Sequence, residues 1–183
     1  MGTSTPWGVA QGSKVFQRGV TFYRTARHGG FRLGVRANAK IPEPMRNEDG
    51  WYEEDCEAAK VMFIFRDLFA EDYDDAVVTL KDYFPDEYEA VTGEIVSEEE
   101  SYVRSKCAFA EAMAEQYVVV AAWGDYAPDC PKGYVIGLAR LGGATFGRGK
   151  YFLIPEEEYK KRGRFGFVIE SVERYKELID PKL

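Results

Sequence analysis

The stretch Gly50-Trp51-Tyr52-Glu53-Glu54-Asp55-Cys56 separates a proline-containing connector from the longest amphipathic pattern in the chain. After it, apolar residues recur at the spacing of one helix face: Ala58, Val61, Met62, Phe65, Leu68 and Phe69. This spacing predicts a helix over about 53–69. Glu53, Glu54 and Asp55 would then occupy its first turn, where unpaired N–H groups and the helix dipole favour carboxylates.

The same three carboxylates support a second interpretation. We predict that the connector brings them near Arg27-His28-Gly29-Gly30, so that Glu53, Glu54 or Asp55 could work with His28 as a general acid/base pair. His28 is the single histidine, which excludes mechanisms that need two and disfavours a histidine-based transition-metal site. The structural and the functional interpretation both stay open, and we expect neither a metal nor a cofactor.

Length and composition favour one α+β domain over residues 1–183. The 183 residues are 45% apolar and 15% aromatic, enough for a sizeable core. The three cysteines have no CxxC spacing, which is typical of a reducing cytosol rather than of a disulfide framework. Neither a signal peptide nor an apolar run of about 20 residues is evident, so we expect a cytoplasmic protein without membrane contact.

Charge and hydrophobic patterns divide the chain into three segments. Residues 1–42 carry seven basic and no acidic side chains, and alternating residues predict a basic meander of about three strands. Residues 53–115 predict an acidic segment of about four helices. Residues 117–183 predict the central strands, from Tyr117-Val118-Val119-Val120 onward, followed by short β and α elements. The element order therefore predicts helices packed on one mostly antiparallel sheet.

Local signals set the ends of several elements. Pro85 suits the first turn of a short helix that Thr92-Gly93 would end, and Ser97-Glu98-Glu99-Glu100 has the capping-box spacing of a helix start. A helical turn is predicted over 172–178. The Gly142–Lys150 run has four glycines but no Walker spacing and lies between strands, so a hairpin loop is favoured over a phosphate cradle.

Two charged surfaces are candidates for partner binding. Carboxylates of the helical segment could occupy a basic groove on another protein, as acidic decoys of nucleic acid do: Asp72, Asp74, Asp75, Asp86, Glu87, Glu98 and Glu99. The strands instead offer cations for a nucleic-acid backbone: Arg18, Arg24, Arg27, Arg32 and Arg36. The net charge of −7 disfavours nucleic acid as the direct partner.

Six motifs together resemble a family of uncharacterised proteobacterial proteins carried on plasmids, phages and other mobile elements. They are Thr5-Pro6-Trp7-Gly8, Thr25-Ala26-Arg27-His28-Gly29-Gly30, Gly50-Trp51-Tyr52-Glu53-Glu54-Asp55-Cys56, Phe84-Pro85-Asp86, Ala121-Ala122-Trp123-Gly124-Asp125 and Tyr151-Phe152-Leu153-Ile154-Pro155. The family has no assigned activity or catalytic residues. The resemblance implies an accessory protein that counters host defence by inhibiting a host complex.

The expected function is therefore inhibition of a host defence or nucleic-acid-handling complex that has a basic surface. The alternative is a small enzyme in which His28 and a carboxylate act on a phosphate-containing or glycosidic substrate, with or without Mg²⁺. The two readings use different residues, so the positions of His28 and of the acidic helices decide how each can be tested.

Overall fold

A computed structural model describes residues 2–183, and the chain divides into two compact units, residues 1–104 and 105–183. The predicted α+β class with mostly antiparallel strands is confirmed. The strands are distributed over three antiparallel sheets, of two, four and five strands. Among residues 2–183, no helix combines the length and apolar character needed to cross a bilayer.

Unit 1 begins with two sheets. A small hairpin pairs β1 (Ser4–Thr5) with β2 (Gly8–Val9). The larger sheet has the order β3-β4-β5-β6, with strands Gly12–Gln17, Val20–Arg24, Gly29–Leu33 and Trp51–Glu53. The predicted basic meander corresponds to β3 to β5, and Gly19 turns the β3–β4 hairpin with a φ of +86°. The connector to β6 contains a short helix α1 (Val35–Asn38) and a 3-10 turn (Glu43–Met45).

The predicted helix start at Glu53 is wrong, because residues 51–53 form β6 along the edge of β5. Tyr52 lies opposite Phe31 and is fully buried. Its hydroxyl donates to Asn38 Oδ1 at 2.7 Å and accepts the N–H of Asn47 at 3.1 Å. Burial of this ring with both hydrogen bonds satisfied outweighs the local preference of carboxylates for a helix start.

After β6, unit 1 continues with α2 (Ala58–Ile64), a 3-10 turn (Arg66–Leu68), α3 (Tyr73–Tyr83) and α4 (Pro85–Thr92). Helix α2 packs on β5 and β6, α3 packs on α2, and α4 packs on α3. The predicted first-turn role of Pro85 is confirmed, and Gly93 ends α4 in the left-handed region at φ +74°. The shared core includes Val20, Phe31, Leu33, Ile41, Val61 and Leu80.

The capping box forms, yet it does not start the helix. The Ser97 N–H and hydroxyl both donate to Glu100 Oε2, at 3.0 and 2.8 Å. In return, the Glu100 N–H donates to Ser97 Oγ at 3.3 Å. Helix α5 (Tyr102–Ala112) begins later, where Asp82 Oδ1 accepts the Tyr102 N–H at 2.8 Å. A cap from another helix thus fixes the start two residues after the predicted box.

Unit 2 contains the five-stranded sheet in the order β10-β7-β8-β9-β11. The strands are β7 (Tyr117–Trp123), β8 (Tyr134–Leu141), β9 (Lys150–Pro155), β10 (Phe167–Ile169) and β11 (Lys176–Leu178), with α6 (Glu156–Tyr159) after β9. The antiparallel pairing of β7 with β8 is as predicted. The helical turn predicted over 172–178 is wrong, because β11 extends the sheet along β9. Residues 142–149 form the β8–β9 loop, as expected.

A buried ion pair joins two helices of unit 1. Lys60 on α2 is 4% exposed, and its Nζ lies 2.7 Å from Glu87 Oε2 on α4 and 4.1 Å from the centroid of the Phe84 ring. A buried ammonium group needs such a partner, because removing one member leaves an uncompensated charge in the core.

We therefore expect Glu87→Ala to lower the free energy of unfolding by about 3 kcal/mol, measured by urea denaturation. Glu99→Ala is the matched control, because it makes the same substitution at an exposed glutamate. It should lower the free energy of unfolding by less than about 0.5 kcal/mol. Lys60→Met in the Glu87→Ala background should recover most of the loss. Equal stability of Glu87→Ala and the control would contradict a dependence of Lys60 on Glu87.

Candidate functional site

The outer face of the four-stranded sheet carries the candidate site. Because alternate residues face opposite sides of a strand, the residues between the core positions share this face: Tyr23, Gly30, Arg32, Trp51 and Glu53. Gly30 lies opposite Tyr23 on one side and opposite Glu53 on the other. The row Tyr23-Gly30-Glu53 therefore has a gap at its centre.

Trp7 fills the gap above Gly30. The turn between β1 and β2 is fixed by Thr5, whose Oγ1 donates to Gly8 O at 2.8 Å and accepts the Trp7 N–H at 3.2 Å. A Cβ at Gly30 would overlap the Trp7 ring and the carbonyl oxygen of Tyr52. Trp7 also meets Trp51 edge to face, with centroids 5.6 Å apart and planes at 88°.

A second hydroxyl-locked turn positions His28. Thr25 Oγ1 donates to His28 O at 2.7 Å and accepts the N–H groups of Arg27 and His28 at 3.3 Å. The His28 side chain, 52% exposed, then lies with Nδ1 3.4 Å from Glu53 Oε1 on β6. The predicted approach of His28 to the carboxylates of residues 53–55 is confirmed for Glu53 and Asp55.

The carboxylates beside His28 are held by backbone contacts. Glu53 Oε2 accepts the Asp55 N–H at 2.8 Å, while Glu57 Oε2 accepts the Glu53 N–H at 3.1 Å. One ligand atom each of His28, Glu53 and Asp55 lies within 4.8 Å of the other two. Glu53 Oε1 is buried and has no hydrogen-bond partner among the described residues. The end of β6 thus brings three ionisable side chains together, with His28 Nδ1 lying 3.4 Å from the buried Glu53 Oε1.

Glu54 contacts the backbone of Gly29, next to the turn that positions His28. Its N–H donates to Gly29 O at 3.1 Å, and a Cβ on Gly29 would come 2.5 Å from Glu54 Oε2 and 2.8 Å from Phe22 Cζ. Both glycines of the pair are therefore required by close approach: Gly30 by Trp7, and Gly29 by Glu54 and Phe22.

Cys56 lies beside the acidic trio and is not suited to nucleophilic attack. Burial, followed by the charges of Asp55, Glu53 and Glu57, raises the pKa of the Cys56 thiol. The thiol therefore stays protonated at neutral pH, and a thiolate mechanism is disfavoured.

A polar cleft of about 590 Å³ adjoins the tryptophan pair. It is lined by Pro6, Trp7, Arg46, Asn47, Glu48, Asp49, Trp51, Glu53 and Glu57. Four carboxylates thus face one guanidinium group, and Arg46 is already engaged, because its Nε donates to Ile41 O at 2.8 Å. The cleft has the charge and the aromatic walls to accept a cationic group.

The arginines predicted for nucleic acid are mostly exposed: Arg18, Arg24, Arg27 and Arg36. The fifth, Arg32, is half-buried and donates to the carbonyl oxygens of Leu33 and Asp49 at 2.7 and 2.6 Å. Its guanidinium carbon lies 5.3 Å from the Trp51 ring centroid. Arg32 therefore supports the site from within the sheet.

The predicted acidic surface is exposed at six positions: Asp72, Asp74, Asp75, Asp86, Glu98 and Glu99. Glu87 is half-buried against Lys60. Asp86 pairs with Arg104, which also binds both carboxylate oxygens of Glu89 at 2.7 and 3.0 Å. These hydrogen bonds lower the pKa of Glu89 to about 2. Asp86 and Glu87 thus have structural partners.

Sequence reasoning missed Trp7, Arg46, Glu48 and Glu57 as site residues. The signal for Trp7 was present, because Thr5-Pro6-Trp7-Gly8 and Thr25-Ala26-Arg27-His28 share the pattern of a threonine that closes a four-residue turn. The cleft residues of the connector carried no comparable signal.

The model of a family described as "Domain of unknown function (DUF7007)" matches residues 1–114. The match includes all of unit 1 and every residue of the site and cleft. No curated protein and no solved structure matches the chain.

We expect Gly30→Ala to reduce the free energy of unfolding by about 2 kcal/mol, because the new methyl group must displace Trp7 and the rigid Tyr52 carbonyl. Tryptophan emission should shift to longer wavelength as Trp7 leaves the face. Gly34→Ala is the matched control: its Cβ would meet nothing closer than 3.6 Å, and its φ of −70° suits alanine. If the two variants unfold alike, Gly30 is not needed for close packing.

Proposed function

Since the chain belongs to the DUF7007 family, whose function is unknown, we propose a function from the site itself: the protein acts by binding, and its acidic cleft accepts cationic side chains of a partner protein. The observation that carries this proposal is the lining of the cleft, four carboxylates and two tryptophans against one engaged arginine. Partner lysine or arginine side chains would meet both opposite charge and ring faces there.

The net negative charge of unit 1 also supports binding of a basic partner. Residues 1–104 carry 20 acidic and 12 basic side chains. Among residues 43–57 seven are acidic, and only Arg46 is basic. Such a field attracts a basic partner over several ångströms and loses strength as salt screens it.

The partner that fits this chemistry is a host complex whose basic groove handles nucleic acid. A protein that fills such a groove competes with phosphates and so inhibits the complex. The resemblance to proteins of plasmids and phages supports an accessory role in the cytoplasm against host defence. Direct binding of nucleic acid is less favoured, because unit 1 is acidic and Arg32 already has partners within its sheet.

An arginine-rich peptide tests the cleft as a stand-in for a basic groove. We expect the wild-type protein to bind it, with affinity that falls as NaCl rises from about 50 to 300 mM. Glu48→Lys should weaken binding about tenfold, because Glu48 is exposed and its side chain lines the cleft. Fluorescence anisotropy of a labelled peptide measures both effects.

Asp75→Lys, on the first turn of α3, is the matched control for the charge change. Retained affinity in this variant and loss in Glu48→Lys would support the cleft. Equal loss in both would show that overall charge, rather than the cleft, drives binding. Loss confined to Asp75→Lys would move the surface to the acidic helices. Absence of binding by the wild type would overturn the proposal.

A second candidate function is catalysis, which the 3.4 Å approach of His28 Nδ1 to Glu53 Oε1 specifically favours. A carboxylate that holds one ring nitrogen leaves the other free to exchange a proton with a substrate or a water. Phosphate-containing or glycosidic compounds are the proposed substrates, with Glu54 and Asp55 as further candidates for the acid or base.

If this second function is correct, His28→Gln should abolish hydrolysis of a chromogenic phosphate ester or glycoside, lowering kcat at least about a hundredfold while folding is unchanged. Arg27→Gln, an exposed neighbour in the same turn, should retain activity. No turnover by the wild type across both substrate classes, or equal turnover by His28→Gln, would contradict an enzymatic role for this histidine.

A further inference from the structure

We propose that unit 2 binds single-stranded nucleic acid through a basic hairpin (residues 160–166), the pocket beside it and the neighbouring β8–β9 loop. All of these residues belong to unit 2. The inference therefore depends neither on the acidic cleft nor on His28, which belong to unit 1.

The cations of unit 2 are concentrated in two stretches of sequence. Unit 1 carries 20 acidic and 12 basic side chains, whereas unit 2 carries 11 acidic and 12 basic ones, so the negative balance of the chain belongs to unit 1. Residues 130–155 contain four basic and no acidic side chains, and residues 159–169 again contain four basic and no acidic ones. Clustered cations of this kind attract the phosphates of a nucleic-acid backbone.

A tight hairpin presents the second of these stretches. The Gly163 N–H donates to Gly166 O at 3.1 Å, and the Gly166 N–H donates to Gly163 O at 3.2 Å. Arg164 and Phe165 therefore form a two-residue loop, which Gly166 permits with a φ of +126°. The cations in and before this loop are exposed: Lys160, Lys161, Arg162 and Arg164. The backbone hydrogen bonds thus hold several positive charges along one short segment.

A pocket of about 350 Å³ lies beside the basic hairpin. Its volume falls in the range of about 300–1,000 Å³ that is typical of ligand pockets. Its walls combine aromatic rings with cationic side chains: Phe109, Phe167, Tyr175, Lys161, Arg162 and Arg174. Rings for a base and cations for a phosphate are the two features with which proteins bind single-stranded nucleic acid.

The carboxylates of the pocket do not cancel its positive charge. Glu158 Oε2 accepts the Tyr175 hydroxyl at 2.8 Å and an Arg174 nitrogen at 2.9 Å. These hydrogen bonds lower the pKa of Glu158, so it stays ionised and offsets Arg174. Lys161 and Arg162 then face one further lining carboxylate, Glu170. The pocket therefore keeps a net positive charge with which to bind a phosphate.

The β8–β9 loop lies next to the hairpin, because both pack against Val118 of β7. Val118 is fully buried. A Cβ on Gly143 would lie 3.5 Å from Val118 Cβ, and a Cβ on Gly166 would lie 2.8 Å from Val118 Cγ1. The two basic stretches, distant in sequence, are thus neighbours on one side chain.

The β8–β9 loop adds an exposed ring to this surface. Arg140 anchors the loop, since its guanidinium group donates to the carbonyl oxygens of Ala144 and Thr145. The next residue, Phe146, is 86% exposed, and Arg148 is also exposed. A ring on an anchored loop with a cation two residues away suits stacking of a base beside a bound phosphate.

The shape of the surface favours a single strand over a duplex or a membrane. A base can enter a pocket or stack on a side chain only when it is unpaired and exposed. A lipid surface could contact the protruding cations and Phe146, but it could not occupy the ring-lined pocket. Single-stranded nucleic acid uses the hairpin, the pocket and the loop together.

Fluorescence anisotropy of a labelled 20-nucleotide oligo(dT) tests the proposal with the full chain. We expect binding that is tighter than to a duplex of the same length and that weakens as NaCl rises above about 50 mM. The double variant Lys161→Ala/Arg162→Ala should weaken binding at least about tenfold. It should also reduce the slope of log K against log [NaCl] by about 1.4, because two phosphate contacts are lost.

Phe146→Ala should weaken binding at least about fivefold and leave the salt slope unchanged, because stacking releases no counterions. The matched control is Arg18→Ala/Arg36→Ala, which removes two exposed cations of unit 1 and should retain the affinity and slope of the wild type. Circular dichroism checks that each variant is folded.

Four results would overturn the proposal. They are absence of binding to oligo(dT), equal or tighter binding of the duplex, equal loss in the two double variants, and loss confined to the unit 1 variant. Binding of phosphatidylserine vesicles without binding of oligo(dT) would assign the surface to a membrane instead.

Discussion

The absence of a side chain at Gly30 is the constraint on which the outer face of unit 1 depends. It lets the Trp7 ring lie directly on the sheet between Tyr23 and Glu53, the two neighbours of Gly30 across the strands. Trp7 in turn contacts Trp51, which packs against Tyr23 with ring centroids 5.6 Å apart. A Cβ at Gly30 would displace Trp7, so the cleft wall that Trp7 forms depends on glycine at this position.

Threonine hydroxyl groups set the two turns that deliver the site. Thr5 and Thr25 each donate to a carbonyl oxygen three residues later, at 2.8 and 2.7 Å, and each accepts a backbone N–H inside the turn. The geometry presents Trp7 from one turn and His28 from the other. Short-range hydrogen bonds thus fix two side chains whose partners come from a distant strand.

Elements with strong local signals were predictable. Pro85 and Gly93 bound α4, and Gly19 turns the β3–β4 hairpin, because each position has a backbone requirement that few residues meet. Residues 51–53 were not predictable, since three carboxylates before an apolar repeat fit a helix start equally well. Only the burial of Tyr52 against β5, a tertiary contact, decides for the strand.

The approach of His28 to the carboxylates could be anticipated from opposite charge, while the cleft could not. Its lining depends on the register that sets Gly30 opposite Glu53, and a shift of one residue would turn Glu53 towards the core. Seventeen residues separate β5 from β6, so this pairing must overcome a larger loss of chain entropy than the hairpins do. We therefore expect Glu53 to join the histidine late in folding, which means that a chain emerging from the ribosome presents an incomplete site until residue 53 and its supporting helices are available.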